Sequence, residues 1–295
     1  MDLSIVIVNY NTRDLLRDCL RSVYASQGCF SYEVTVVDNC SPDDSVQMVR
    51  QEFPQARLIA SEINGGYAYA NNLGLRDAQA DYVLLLNPDT VLPPNALQDM
   101  LDFMAQHPDA GVAGPKLVLQ DGSLDLACRR SFPSIDVAFY RLIGLSKLFP
   151  HSPRYNRYNL GYLDPDQPAQ VDAVVGAFMM MRRAALEQAG LLDERFFAYA
   201  EDIDLCYRIK VEHGWKVYYN PAVVVTHYKG RSTRQRFAPM TVEFYRAMWR
   251  FHQKHYAQHT PFLLNWATAV GIAGLCGLAL CINFLRPADK RKVGL

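Results

Sequence analysis

Polar groups with chemistry to offer stand at the ends of three short apolar runs. Asn9 closes "SIVIVN", Asp38 closes "YEVTVVD", and Asn87, Pro88 and Asp89 follow "YVLLL". Asparagine and aspartate commonly end strands as turn formers, and for any one of the three that explanation is sufficient. Pro88 changes the third case, because its ring restrains the backbone that leads into Asp89. A carboxylate on so rigid an approach suits a metal or phosphate site better than a solvent loop. A second acidic group, "AEDIDLCYR", packs Glu201, Asp202 and Asp204 into four residues, beside Phe196, Phe197 and Tyr199. Acids at a helix start are favoured by the helix dipole, and Asp204 with Arg208 makes an ordinary i,i+4 ion pair. Alone, this run divides evenly between helix stabilisation and acid–base chemistry. His227, after "AVVVT", stands at a strand end, where histidine is usually structural.

The elements that must carry these groups follow from periodicity. "SIVIVNY" (4–10) and "YEVTVVD" (32–38) are β-branched apolar runs of the kind buried parallel strands need. Between them, "TRDLLRDCLRSVYAS" has the apolar spacing of a helix, with Thr12 as its cap. "SPDDSVQMVRQEF" reads as the next helix, and "RLIA" (57–60) and "YVLLLN" (82–87) as further strands. Repeated β-α-β units predict an α/β fold built on a doubly wound, mostly parallel sheet, in which ligands bind at the carboxyl ends of the strands. Later, "GVAGPKLV" and "VVGAFMMMRR" (174–183) read as strands, "RAALEQAG" as a helix stopped by Gly190, and "AEDIDLCYRIKVEHG" as a helix stopped by Gly214. "WKVYYNPAVVVTHY" reads as two strands and "MTVEFYRAMWRFHQKHYA" (240–257) as an amphipathic helix. Neither GxGxxG after the first strand nor GxxxxGK[ST] occurs, which excludes the common dinucleotide and P-loop sites.

Taken in order after "SIVIVNYN", the stretches "VVDNCSPDDS", "NGGYAYANNLG" and "LLLNPDT" resemble the family 2 glycosyltransferases of the GT-A fold, nearest to the rhamnosyltransferase-like branch. "FFAYAEDIDLCYR" and "VTHYKGRS" extend the likeness over roughly residues 3–235. In that family the "NPD" position holds an acidic motif that binds the divalent metal, Mg²⁺ or Mn²⁺, on a sugar-nucleotide diphosphate. This chain has Asn87 where many members have a first aspartate, so the resemblance makes Asp89 the main carboxylate ligand. It gives Asp38 the nucleotide base, lines the same pocket with Asn9 and Tyr10, and lays Asn64, Gly66 and Asn71 along the nucleotide and sugar. Asp202, the second acid of the "ED" pair, takes the place of the catalytic base, with Glu201 next in line and Arg208 orienting the helix. An H-x-x-G-x-S pattern, here His227, Gly230 and Ser232, makes His227 a further metal or diphosphate contact, with Arg231 and Arg234 on a loop able to close over the leaving group. The Q-x-x-R-W motif of processive members is absent, which favours limited addition over polymerisation.

Charge is unevenly spread in this neutral chain. Residues 1–128 carry 7 basic and 17 acidic side chains, residues 129–160 carry 6 and 1, and residues 237–295 carry 7 and 2. A diphosphate approaching so acidic a first half needs a bridging cation, and the distribution argues against nucleic acid as partner. "FYRLIGLSKLFPHSPRYNRYNLGY", with Arg141, Lys147, Arg154 and Arg157, is either a solvated insertion or a lid that meets anionic lipid or a pyrophosphate-linked acceptor. Seven cysteines without a CxxC pair predict free thiols in a reducing compartment. The first residues show no secretory signal pattern. "FLLNWATAVGIAGLCGLALCINFL" (262–285) has no charge in 24 residues and is long enough to cross a bilayer.

The expected organisation is a nucleotide-sugar half (1–110), an acceptor and catalytic half (111–237), an amphipathic helix (238–260), and a membrane-associated segment with a basic tail (261–295). The expected activity is inverting transfer of rhamnose or a similar deoxyhexose from a dTDP- or UDP-sugar to a lipid-linked or polysaccharide acceptor, at the cytoplasmic face of the membrane. A sugar nucleotidyltransferase and a non-catalytic membrane-anchored scaffold are the alternatives.

Overall fold

In a computed structural model, which describes residues 1–228, 237–286, 291, 293 and 294, strand β1 (Leu3–Asn9) is buried at all seven positions. Successive strand side chains point to opposite faces, so both faces of the sheet are covered there. Each fully buried Ile or Leu on such a strand contributes roughly 1.5–3 kcal/mol relative to exposure. Helix α1 (Arg13–Tyr24) buries Leu16, Cys19, Leu20 and Val23. It leads into β2 (Tyr32–Asp38), α2 (Ser45–Glu52), β3 (Arg57–Ala60), α3 (Tyr67–Leu75) and β4 (Tyr82–Leu86). Strands β2, β1 and β4 pair in parallel with β1 central, and β3 extends the edge beyond β2. Gly74 lets α3 sit close on this sheet, since a Cβ there would lie 2.6 Å from a Val6 methyl.

The second half adds to the same sheet. After the two-residue β5 (Thr90–Val91) come α4 (Ala96–Gln106), β6 (Ala110–Val118), α5 (Ile135–Leu142), α6 (Leu145–Leu148), β7 (Ala169–Val171), β8 (Phe178–Arg182), α7 (Arg183–Ala189), α8 (Glu201–Tyr207) and β9 (Lys216–His227). The order is β3-β2-β1-β4-β8-β6-β9-β5, with β7 also on β9. Strands β1, β2, β3, β4, β6 and β9 run one way, and β5, β7 and β8 run against them. This is the mostly parallel α/β sheet expected.

Three local expectations need correction. Thr12 occupies the N-cap position of α1 but does not cap it; its hydroxyl donates to Asn9 Oδ1 at 2.7 Å. "KVYYNPAVVVTH" is one strand, β9, rather than two, and it runs through a bulge where its pairing with β6 jumps from Asn220 to Val224. Pro221, which has no N–H to give, lies in that bulge. Helix α8 gives way to a π-helical turn, Arg208–Glu212, before Gly214 (φ +76°) ends it.

Helix α9 (Phe237–His255) buries Ala247 and Phe251 in the main core. Helix α10 (Phe262–Leu285) takes up the uncharged segment over its full length, and is long and apolar enough to cross a membrane. All seven cysteines are free thiols.

Candidate active site

The strand register explains why the polar ends meet. Asn9 and Asp38 are direct partners across β1 and β2, and Ile7 pairs with Leu86, so Asn87 starts just beyond the same level. Asn9 Nδ2 donates to Asp38 Oδ1 at 2.9 Å and to Ser41 Oγ at 3.1 Å, and the Ser41 N–H donates to Asp38 Oδ2 at 2.9 Å. Both Asn9 and Asp38 are buried, while Tyr10 beside them is half-buried. These contacts fix the carboxylate with neutral donors only and leave it lone pairs for another.

Asn39, which the sequence did not single out, joins this corner to the next loop. Its Nδ2 donates to Asn64 Oδ1 at 3.0 Å, and its Oδ1 accepts the Gly65 N–H at 3.1 Å. Gly66 has φ +89°, and a Cβ there would lie 2.4 Å from the Phe197 carbonyl oxygen. The glycine thus lets the "NGG" turn touch the chain that leads into α8. Asn71 is buried within α3, where it donates to the Tyr67 carbonyl at 2.9 Å.

The third strand end is built differently. Thr90 pairs with His227 across β5 and β9, and the Tyr228 N–H donates to the Asp89 carbonyl at 2.7 Å. This brings His227 Nε2 to 3.3 Å from Asp89 Oδ1, while Nδ1 lies 2.9 Å from Asp125 Oδ2. Burial alone would lower the His227 pKa, but its hydrogen bonds to Asp125 and Asp89 outweigh this and raise it to about 9. Asp89 Oδ1 is buried and, beyond this approach of His227, has no other partner among the described residues. A carboxylate oxygen left unsatisfied, facing an imidazole nitrogen whose ring is oriented by a second carboxylate, fits a divalent metal. Among the described residues no third His, Cys, Asp or Glu joins them, so the remaining positions would fall to substrate oxygens and water. Asp125 was not anticipated; it follows β6 in sequence and nothing local marks it.

Opposite stands the acid pair of α8. Asp202 Oδ2 accepts from Arg130 Nη2 at 2.7 Å and from the Gly176 N–H at 3.1 Å, and its Oδ1 accepts the Ile203 N–H at 2.7 Å. Arg130 and Asp202 are both buried, and the guanidinium also donates to the Val174 carbonyl at 2.8 Å. The basic stretch 129–160 is therefore not all surface. Arg130 serves the acid pair, and buried Arg129 donates to the carbonyls of Leu163 and Asp164, leaving Arg141, Lys147, Arg154 and Arg157 exposed. Glu201 is 7% exposed, and its Oε2 has no hydrogen-bond partner among the described residues. Burial, then the charge of Asp202, raises its pKa.

Tyr67 links the two sides. Its hydroxyl donates to Asn87 Oδ1 at 2.9 Å and to the Gly176 carbonyl at 3.0 Å. Burial raises its pKa well above the ordinary phenol value, and Glu201, Asp202 and Asp89 push in the same direction. The Tyr67 hydroxyl thus ties the chain just before Asp89 to Gly176, whose N–H donates to Asp202, and so joins the end of β4 to the start of α8.

Arg208 is not part of that ring. It pairs with Asp204 at 2.9 Å and donates to the carbonyls of Ala189, Gly190 and Leu191, which fixes α8 against the end of α7. Asp204 is fully buried and also meets Lys254 Nζ at 2.7 Å and His255 Nε2 at 2.8 Å, so α9 holds the helix from behind. Gly230, Arg231, Ser232 and Arg234 lie outside the described residues.

Comparisons with known proteins agree with this fold. The chain is 29% identical over 273 residues to an N-acetylglucosaminyl-diphospho-decaprenol L-rhamnosyltransferase of Mycobacterium tuberculosis, covering 89% of this chain and 87% of that protein. It is 26% identical over 247 residues to the rhamnosyltransferase WbbL of Escherichia coli, covering 79% and 86%. The crystal structure of S. aureus TarS 1–349 superposes with a TM-score of 0.57 at 17% identity, over 97% of this chain and 73% of that one, which supports the fold. The glycosyl transferase family 2 model matches residues 4–190. With that match over more than half its length, the chain belongs to glycosyl transferase family 2.

Proposed function

We propose that this glycosyltransferase moves rhamnose, or a similar deoxyhexose, from a dTDP- or UDP-sugar to a lipid-linked or polysaccharide acceptor of the cell envelope, with inversion. The observation that carries this is the Tyr67 hydroxyl, which joins Asn87, two residues before Asp89, to the carbonyl of Gly176, whose N–H in turn holds Asp202. The likeness to two rhamnosyltransferases supports the sugar, and the name of the mycobacterial relative supports a diphospholipid acceptor. Asp38 accepts the ring N–H of the base, held for this by Asn9 and Ser41. Asn64, Gly66 and Asn71 lie along the nucleotide and sugar, and the family pattern alone assigns Arg231 and Ser232 to the diphosphate. Asp89 and His227 would hold Mg²⁺ or Mn²⁺, which when bound neutralises diphosphate charge and improves the leaving group.

In the transfer step the acceptor oxygen attacks the anomeric carbon from the face opposite the diphosphate. The carbon–oxygen bond to the diphosphate breaks and its electrons leave with the nucleoside diphosphate. The acceptor's proton passes to Asp202 Oδ1, which carries one hydrogen bond against two on Oδ2. A second reading exchanges the acids, because Glu201 Oε2 is buried and unpartnered and its raised pKa suits proton transfer nearer neutral pH. Arg141, Lys147, Arg154 and Arg157 face an anionic acceptor or lipid, and α10 attaches the enzyme to the cytoplasmic face of the membrane.

The test measures nucleoside diphosphate release from a panel of dTDP-, UDP- and GDP-sugars, with and without a polyprenyl-diphosphate-linked sugar acceptor. Acceptor-dependent release from a dTDP- or UDP-deoxyhexose is expected. Pyrophosphate-dependent loss of the sugar nucleotide would indicate a nucleotidyltransferase, and no turnover with any donor a scaffold.

A further inference from the structure

Length does not decide how α10 meets a membrane. At 1.5 Å per residue its 24 residues reach across a bilayer, but they equally make a long surface helix. What decides is how the helix is held. It runs back along α9 from end to end. At its start, Asn265 Oδ1 lies 2.6 Å from His252 Nε2, and Asn265 Nδ2 donates to the carbonyls of Ala257 and Thr260. At its other end Asn283 is fully buried and donates to the carbonyl of Gly294, while the Arg291 guanidinium sits 4.7 Å from the centre of the Phe237 ring in the first turn of α9. Ala279 between them is fully buried. The less exposed residues recur every three or four positions and form a stripe against α9.

The opposite face carries Leu263, Trp266, Val270, Leu278, Phe284 and Leu285, each at least half exposed. Among the described residues no polar side chain interrupts it, so this face is built for hydrocarbon along its whole length.

A transverse α10 would need one of two costly changes. It could leave α9, breaking the His252–Asn265 contact, parting Arg291 from Phe237 and taking the Asn283 amide, now buried, into lipid. Otherwise it must draw α9 in with it, and α9 carries Glu243, Arg246, Arg250 and Lys254, each costing about 2.5–3.5 kcal/mol or more at the bilayer centre. Helix α9 cannot follow without dismantling the catalytic domain, because Lys254 pairs with Asp193 and Asp204, each at 2.7 Å.

We infer that α10 lies in the plane of one leaflet as a monotopic anchor, with its tail on the same side as the catalytic domain. Arg286 and Arg291 then stay at the headgroups of an anionic membrane, as do the basic residues of α9. This rests on the reading of α10 as the membrane attachment and goes further by fixing its depth and topology.

The experiment is depth-dependent quenching of the full-length protein in phosphatidylethanolamine–phosphatidylglycerol vesicles carrying lipids brominated at different depths. Trp215, Trp249 and Trp266 are replaced by phenylalanine, and single tryptophans are returned by Leu263→Trp, Val270→Trp, Leu278→Trp and Leu285→Trp. All four are expected to be quenched best by the shallow bromines, to a similar extent. Depth increasing towards the bilayer centre at 270 and 278 would overturn the in-plane arrangement while leaving membrane attachment standing. Absence of quenching at every position would remove both, and concentration-dependent dimers in that case would assign the face to a second copy of the chain. A C-terminal alkaline phosphatase fusion supplies an independent readout: it should be inactive, and an active fusion contradicts the inference.

Discussion

Asp38 and Asp202 are both buried carboxylates at the ligand-binding side of the sheet, yet their partners differ in kind. Asp38 accepts from an amide, Asn9, and a backbone N–H, Ser41, both neutral. Asp202 accepts from a buried guanidinium, Arg130, and has a second acid, Glu201, next to it in the chain. A carboxylate held by neutral dipoles is fixed in direction and has acceptor positions left to offer, which suits the proposed reading of a nucleotide base. Two adjacent buried acids with one guanidinium, which pairs with Asp202 alone, carry one negative charge too many for a dry site. The excess is relieved when Glu201 holds a proton, as its raised pKa describes. On the proposed function, the first half of the site binds and the second keeps a proton position in reserve for chemistry.

The comparison can be broken most severely at the metal corner. Asp89→Ala removes the only carboxylate that faces His227 Nε2 among the described residues, and metal-dependent donor binding should disappear. Calorimetry with and without Mn²⁺ checks this, and equal donor affinity in both would refute it. Asp202→Asn, nearly isosteric, should lower transfer by roughly 10²–10⁴-fold, the usual share of a general base, without loss of fold. If Glu201→Gln is instead the inactive variant and Asp202→Asn turns over, the two acids exchange roles. Arg130→Met leaves Asp202 buried without its cation. Denaturant unfolding should show a loss of about 3–5 kcal/mol, and a neutral result would mean that Asp202 is protonated or solvated in the fold.

Smaller effects sharpen the contrast. His227→Ala should weaken donor binding less than Asp89→Ala, because water can replace one neutral ligand; the reverse order in the same calorimetry reassigns the principal ligand. Glu201→Gln tests the reserve directly. Since the folded pKa of Glu201 lies above its unfolded value of 4.5, the acid supports folding fully below that value and loses this support as pH rises through the folded one. The variant should therefore gain more in Tm over wild type at pH 8 than at pH 5. Thermal melts that shift equally at both pH values exclude a raised pKa.

Much of this arrangement was legible in the sequence, for physical reasons. Buried parallel strands must be continuous apolar runs, so "YEVTVVD" and "RLIA" give β2 and β3 to the residue. Helix α10 also coincides with the uncharged stretch 262–285. Residues at strand ends could be grouped because a parallel sheet brings its carboxyl edge together, and Asn9 with Asp38 is the direct outcome. Partners supplied by tertiary contact were not legible. Arg130 reaches Asp202 across 72 residues, and Asp125 reaches His227 across 102. No local pattern separates a buried arginine from the exposed ones of the same basic stretch. The resemblance laid Gly66 along the nucleotide and sugar, and the structure sets the Phe197 backbone against it. Thr12 looked like a helix cap, and a tertiary hydrogen bond to Asn9 won over the local one.

The central claim is that donor binding and proton transfer reside in different halves of one site. It is tested most directly by titrating wild type, Asp89→Ala and Asp202→Asn with the active sugar nucleotide in Mn²⁺, and assaying transfer with the same three preparations. The account predicts wild-type donor affinity with transfer lost for Asp202→Asn, and loss of both for Asp89→Ala. Donor affinity that falls equally in both variants, or transfer that survives in Asp202→Asn and Glu201→Gln alike, would contradict it.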